Sequence, residues 1–225
     1  MILAAGLGTR LKPFTDSHPK ALFKVNGKTL LEHAIIHLKS GGIREVIINV
    51  HHFSQQILNF LKRHDNFGMQ ITISDETGEL LETGGGLKKA AWFFKGCDFV
   101  VIRNVDIISD LDLTKMAGYH LKHKPLATLA VRKRETSRYL LFDDRMQLCG
   151  RENREKGERL TSRESVSVSP YAFSGIQMIS HDIFPLITEE GKFSLTDMYL
   201  RLAASQKILG FLEEGTLWKD VGRGM

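Results

Sequence analysis

Four charged residues stand where they could do chemistry: Arg10, Lys20, Asp106 and Asp220. Arg10 closes the stretch "AAGLGTR", in which Gly6 and Gly8 leave the backbone free to bend and to turn its N–H groups toward an anion. The guanidinium adds a fixed fork of donors suited to phosphate oxygens. "AAGLGTR" is neither a dinucleotide fingerprint nor a Walker A motif, because Leu11 stands at the third glycine position and no Gly-Lys-Ser/Thr follows. Taken alone, it reads either as a tight turn or as a phosphate cradle. Lys20 follows Pro19, which fixes the backbone ahead of it. A lysine held in this way can neutralise a transferring phosphate, although an ordinary surface lysine gives the same pattern. Asp106 and Asp220 each follow an apolar run. Magnesium takes one or two protein carboxylates and completes its shell with phosphates and water, so the pair could hold one. Singly, each also fits a strand-end turn.

The elements that must position these residues alternate. Ile2–Ala5, "EVIINV", "MQITIS", "DFVVIRNVD" and "LATLAVRK" read as strands. Between them, "GKTLLEHAIIHLKSGG", "SQQILNFLKRH" and "DLTKMAGYHLKH" carry apolar residues at helical spacing, including Ile57, Leu58 and Leu61 on one face. In "LLETGGGLKKAAWFF" three glycines stand just before a helix; they suit either a flexible loop or close backbone approach to a flat ligand. The pattern predicts an α/β fold: a mostly parallel, Rossmann-like sheet with helices on both faces, whose ligands bind at the strand carboxyl ends. Gly6–Arg10 and Asn104–Asp106 both fall at such ends. After residue 131 the pattern shifts to short strands ("RYLLFDD", "MQLCGR", "YAFSGIQMI"), which predicts a small antiparallel patch. "FSLTDMYLRLAASQK" follows as a helix, then "ILGFLEE" and "LWKDVG" as strands.

Composition narrows the classes. A chain of 225 residues, 42% apolar and 25% charged, has globular values and suits a single domain. Cys97 and Cys149 have no metal-ligand spacing and read as reduced and structural. No apolar run approaches the ~20 residues of a membrane helix. The opening "MILAAG" lacks the shape of a signal peptide, so a soluble, cytoplasmic protein without a membrane partner is expected. The net charge is +5, but the basic residues of "RKRETSR" and "GRENREKGER" alternate with acids and lack interleaved aromatics. This reads as a mobile charged flap and excludes a nucleic-acid partner. The histidines carry no motif, and no G-x-S-x-G nucleophile elbow occurs.

Together the segments are more specific than any one of them. "LAAGLGTRLKPFTDSHPKAL", followed in order by "LETGGG", "NVD", "FSGI" and "WKDVG", resembles the motif series of the sugar-1-phosphate nucleotidyltransferases over essentially the whole chain. The resemblance implies magnesium-dependent transfer of a nucleotidyl group from an NTP to a sugar-1-phosphate, with release of pyrophosphate. It implies that Leu3, Ala4, Ala5 and Gly6 approach the base, that Gly8, Thr9 and Arg10 hold the triphosphate, and that Lys20 contacts the α-phosphate or the sugar phosphate. Glu82, Thr83 and Gly84 would lie against base or sugar, and Asn104 and Gly175 would line the sugar pocket. Asp106 and Asp220 would bind Mg2+, with Arg10, Lys20 and Asp106 as the catalytic set. Residues 1–131 would form the nucleotide-binding part and 132–225 the sugar-phosphate-binding part of one domain.

"LETGGG" looks most like the uridylyltransferases of N-acetylmuramate-1-phosphate, which favours UTP. Mannose- and heptose-1-phosphate guanylyltransferases share most of the motifs. There are departures. Val105 replaces a small residue, which would keep the ribose further away. "GRENREKGER" stands where many relatives carry Glu-Lys-Pro, leaving the sugar-phosphate cation unassigned. The sequence ends at "WKDVGRGM" where relatives continue into a helix, which implies a truncated chain or a shortened relative. These departures keep a non-catalytic nucleotide-binding regulator on the same fold as the alternative.

Overall fold

The computed structural model describes residues 1–223. The chain begins with β1 (Ile2–Leu3), then a two-stranded hairpin of β2 (Lys24–Val25) and β3 (Lys28–Thr29). There follow α1 (Leu30–Ser40), β4 (Glu45–Val50), α2 (Ser54–Arg63), β5 (Gln70–Asp75) and α3 (Glu82–Lys89). Next come β6 (Phe99–Asn104), β7 (Ile107–Ser109), α4 (Leu113–His123) and β8 (Ala127–Arg132). The remainder is β9 (Arg138–Phe142), β10 (Leu148–Asn153), β11 (Glu158–Thr161), β12 (Ser169–Ser180), α5 (Leu195–Ala203), β13 (Ile208–Leu212) and β14 (Trp218–Asp220).

Ten strands form one sheet. Along its main path the order is β11-β10-β9-β12-β6-β1-β4-β5, and β8 joins β12 to β13. The pairings of β1 with β4 and β6, of β4 with β5, and of β13 with β8 are parallel. Those of β12 with β6, β8 and β9 are antiparallel, as is the β9-β10-β11 extension. The long β12 joins the two halves of the chain, lying beside β6 and β8 from the first. Alternation along the strands divides the core. On β4, Ile47 faces one side, against Leu87 of α3 and Met198 and Leu202 of α5. Val46, Ile48 and Val50 face the other, where α1, α2 and α4 supply Leu31, Ile35, Ile57 and Met116. Helices thus cover both faces.

Caps fix where the helices begin. Thr29 accepts from the Glu32 N–H at 3.1 Å, Asp112 from Lys115 at 3.0 Å, and Ser194 from Thr196 at 3.1 Å. α1 stops at Gly41, as its sequence predicts.

Four sequence expectations need correction. β1 ends at Leu3, two residues earlier than expected, because Ala4 turns its N–H to the Asn49 side chain. Leu58 of α2 is exposed, unlike Ile57 and Leu61. Gly84, Gly85 and Gly86 do not precede a helix; they lie inside α3 and are buried. A Cβ on Gly84 would overlap the Phe193 ring, and one on Gly85 the Gly191 carbonyl. Gly84 and Gly85 let α3 sit close against the 191–193 segment, and Gly86 lets it sit against Glu76 and Asn49. "GRENREKGER" is no isolated flap: Gly150–Asn153 pairs with Glu158–Thr161 in a regular antiparallel ladder.

Candidate active site

The first loop leaves β1 at the carboxyl edge of the sheet. Ala4 donates its N–H to Asn49 Oδ1 at 2.7 Å, and Asn49 Nδ2 donates to Glu76 Oε1 at 2.8 Å. Glu76 in turn accepts from the Leu81 N–H at 3.3 Å. This buried chain ties the first loop to the 76–82 segment. Burial pushes the Glu76 carboxyl up, while the Asn49 and Leu81 bonds pull it down. Sequence reading missed both Asn49 and Glu76. The available signal was a polar residue inside the apolar run "EVIINV".

Gly8 has φ +64°, and a Cβ there would lie 2.7 Å from Lys20 Cβ. Only glycine combines that conformation with that proximity. Its carbonyl is held by Thr15 Oγ1 at 3.0 Å. Lys20 opens a short 3-10 turn after Pro19, and its ammonium is ion-paired with Asp106 Oδ2.

The two aspartates are brought together by a second, two-stranded ladder. β7 and β14 pair antiparallel with Ile107 opposite Asp220. Asp106 is the residue before β7, and its carbonyl accepts from the Val221 N–H at 3.0 Å. Asp220 Oδ1 accepts from the Gly222 N–H at 2.9 Å. A Cβ built on Gly222 would lie within 3.1 Å of Asp106 Oδ2, Lys20 Nζ and Asp220 Oδ1. All three charged groups therefore converge over one Cα, and only glycine leaves room there. No cluster of three or more His, Cys, Asp or Glu that could hold a metal occurs among the described residues. Two carboxylates beside a phosphate-sized recess are the donor set that magnesium takes, so the residues fit that ion.

Three concavities run in series past this point. A recess of about 190 Å³ is lined by Gly8, Thr9, Arg10 and Gly222, with Lys20 at its edge. Arg10 Nη1 reaches the Gly222 carbonyl at 3.4 Å. Lys20 and Asp106 also line a cleft of about 350 Å³ with Leu3, Ala5, Gly6 and Thr83. Val105 lines it too, but is buried and packs into the core. Glu82, Asn104 and Ser194 connect this cleft to a larger one of about 600 Å³ that reaches Gly175 and Asp220. Gly175 has φ +79° where the pairing of β12 with β8 shifts register. A Cβ there would meet Ile107, with Asn104 Nδ2 at 3.3 Å. Of the residues singled out from sequence, Ala4 and Gly84 do not line these three concavities: Ala4 packs in the core and Gly84 against Phe193.

The larger cleft also holds cations that sequence reading left unassigned. Arg134, Arg138, Arg151 and Lys156 line it. Arg134 stacks over Trp218, with its guanidinium carbon 4.5 Å from the ring centroid. Trp218 Nε1 is anchored on the Ser174 carbonyl at 2.9 Å. Arg151 pairs with Asp197 of α5 at 2.6 Å. All four cations come from the two charged stretches "RKRETSR" and "GRENREKGER", whose alternating signs do not announce a shared cleft.

Behind the aspartates, Arg103 is only 1% exposed. Burial draws its guanidinium down to about 10, and the Asp106 carboxylate pulls it back up. His37 is lowered by burial and by Arg103.

The profile of the nucleotidyl transferase family matches residues 1–224. The N-acetylmuramate alpha-1-phosphate uridylyltransferase of Caulobacter vibrioides is 32% identical, over 99% of this chain and 90% of its own length. The mannose-1-phosphate guanyltransferase of Yarrowia lipolytica is 29% identical over 99% of this chain, which spans only 60% of that relative. Among solved structures, a UDP-glucose pyrophosphorylase complexed with UDP-glucose shares the fold with a TM-score of 0.80. It is 16% identical and matches over 98% of this chain and 92% of its own. No helix among the described residues is long and apolar enough to cross a membrane.

Proposed function

Because the chain belongs to the nucleotidyl transferase family and is an enzyme of its sugar-1-phosphate class, we propose that it joins a uridylyl group from UTP to N-acetylmuramate-1-phosphate. The observation that carries this reading is a series of three concavities, the first joined to the second at Lys20 and the second to the third at Glu82, Asn104 and Ser194. The uracil and ribose lie in the 350 Å³ cleft, against the backbone of Leu3, Ala5 and Gly6 and beside Thr83. The β- and γ-phosphates enter the recess of Gly8, Thr9 and Arg10. The acceptor occupies the larger cleft, past Asn104 and Gly175, where Arg134, Arg138, Arg151 and Lys156 offer the cations an anionic sugar phosphate needs.

A phosphate oxygen of the sugar-1-phosphate attacks the α-phosphorus in line. That P–O bond forms as the bond to the β-phosphate bridging oxygen breaks, and pyrophosphate leaves with the electron pair. No side chain acts as nucleophile. The protein offsets the repulsion between two anions and aligns them. Lys20 stands where the recess and the nucleotide cleft join, placed to follow charge on the α-phosphate. Arg10 takes the leaving phosphates. Asp106 and Asp220 would hold Mg2+, which when bound neutralises phosphate charge.

Uridylyl rather than guanylyl transfer is supported by the Caulobacter relative, whose length this chain nearly spans. A thermal-shift panel of UTP, GTP, CTP and dTTP with magnesium, followed by a pyrophosphate-release screen of sugar-1-phosphates, tests it. UTP should give the largest shift and N-acetylmuramate-1-phosphate the fastest release. Preference for GTP and mannose- or heptose-1-phosphate would replace the assignment. NTP binding without turnover across the panel would favour a nucleotide-binding regulator.

A further inference from the structure

The strand "DFVVIRNVD" carries an arginine in phase with Phe99 and Val101, on the face that α1 covers. Side chains at that phase belong to the core, and a fully buried guanidinium is costly unless its donors are used. Arg103 uses its two terminal nitrogens on specific partners, while its buried Nε has no hydrogen-bond partner among the described residues. Its Nη2 donates to the Ile107 carbonyl, the first residue of β7. Its Nη1 meets His37 Nδ1 of α1 at 2.6 Å. His37 Nε2 lies 2.8 Å from the Leu111 carbonyl, two residues past the end of β7. A carbonyl only accepts, so Nε2 carries the proton and Nδ1 is free to accept from Arg103.

We propose that Arg103 and His37 form a buried clamp that grips β7 at both ends and so sets the spacing of the Asp106 and Asp220 carboxylates for metal binding. The inference rests on the reading that those two aspartates hold the divalent cation. β7 is the strand that matters here: it begins one residue after Asp106, and its ladder with β14 places Asp220 opposite Ile107. A slip or splay of β7 would move one carboxylate relative to the other. The ladder is only three residues long and needs support from behind. Neither Arg103 nor His37 lines any of the three concavities described above, so both are positioning residues that act through β7.

The test compares Arg103→Met, Arg103→Lys and His37→Leu with the wild type. One readout is binding of Mn2+ alone, followed by the loss of its free-ion EPR signal. The other is the Mg2+ dependence of pyrophosphate release, separated into half-saturation and maximal rate. Arg103→Met and His37→Leu should each weaken Mn2+ binding and raise the Mg2+ half-saturation severalfold, while the rate at saturating Mg2+ recovers. Arg103→Lys keeps a donor for the Ile107 carbonyl and should recover much of the affinity. If Arg103→Met does not fold, His37→Leu releases the same clamp from its other end and carries the test.

The proposal is overturned if the folded variants lose thermal stability but bind metal as the wild type does, or if Arg103→Lys is no better than Arg103→Met. Asp106→Asn and Asp220→Asn run alongside. If neither alters Mn2+ binding, the metal reading itself fails and the clamp falls with it. If both abolish binding while the clamp variants do not, only the clamp is refuted.

Discussion

Gly85→Ala separates two explanations of the triple glycine. In α3 this residue is buried, and an added Cβ would press on the Gly191 carbonyl and lie 2.9 Å from Leu81 Cβ. Backbone cannot rotate away as a side-chain tip can. Alanine gains roughly 1 kcal/mol over glycine in a helix interior. Over-packing a tight core contact costs about 1–3 kcal/mol, and a clash against backbone belongs at or above the top of that range. The balance is a net loss of about 2 kcal/mol or more, or a midpoint lower by roughly 4–8 °C or more for a chain of this size. Thermal and urea unfolding measure it, with UTP affinity of the folded protein as a second axis. The packing account expects lower stability and near-normal UTP binding. A stabilised variant with impaired UTP binding would refute it, because that is the signature of a glycine facing ligand.

Other consequences follow from named contacts. Asn49→Ala leaves the buried Ala4 N–H and a Glu76 oxygen without their partner, and should cost on the order of 2–4 kcal/mol in denaturant unfolding as well as weakening UTP binding. Arg10→Ala removes a charge-assisted donor from the phosphate recess and should raise the UTP KM on the order of tenfold; an unchanged KM would remove Arg10 from the triphosphate site. Burial lowers His37 and His120, so as the pH falls through their unfolded value of about 6.5 the unfolded chain takes up protons that the folded chain refuses. Stability should therefore fall between pH 7.5 and 6. Glu76, raised by burial, acts in the opposite sense at more acidic pH. A urea midpoint that stays flat or rises over that window contradicts the assignment.

The periodic elements were legible because their apolar spacing reports directly on which side faces the core: α1 ends at its glycine pair, and β4 and β6 run as written. Arg10, Lys20 and Asp106 stood out in the sequence by their chemical identity; Asp106 follows the end of β6, whereas Arg10 and Lys20 lie in 3-10 turns. Three things resisted. Glycines in a row look alike whether they face a ligand or a neighbouring loop, since Phe193 and Gly191 are a hundred residues away in sequence. The cations of the larger cleft, Arg134, Arg138, Arg151 and Lys156, lie in the two charged stretches read as a flap, and the pairing of β9 with β10 that brings the stretches together leaves no spacing to read. The pairing of β7 with β14 joins segments more than a hundred residues apart, and neither strand exceeds three residues.

The central claim is that Asp106 and Asp220 act as one metal-holding pair in nucleotidyl transfer. A double-mutant cycle of Asp106→Asn and Asp220→Asn on pyrophosphate release, with UTP and N-acetylmuramate-1-phosphate in saturating Mg2+, tests it most directly. Either substitution alone should abolish turnover with little change in the thermal midpoint, and the double variant should be no worse than the singles. Undiminished turnover in either single variant, or losses that simply add, would contradict it.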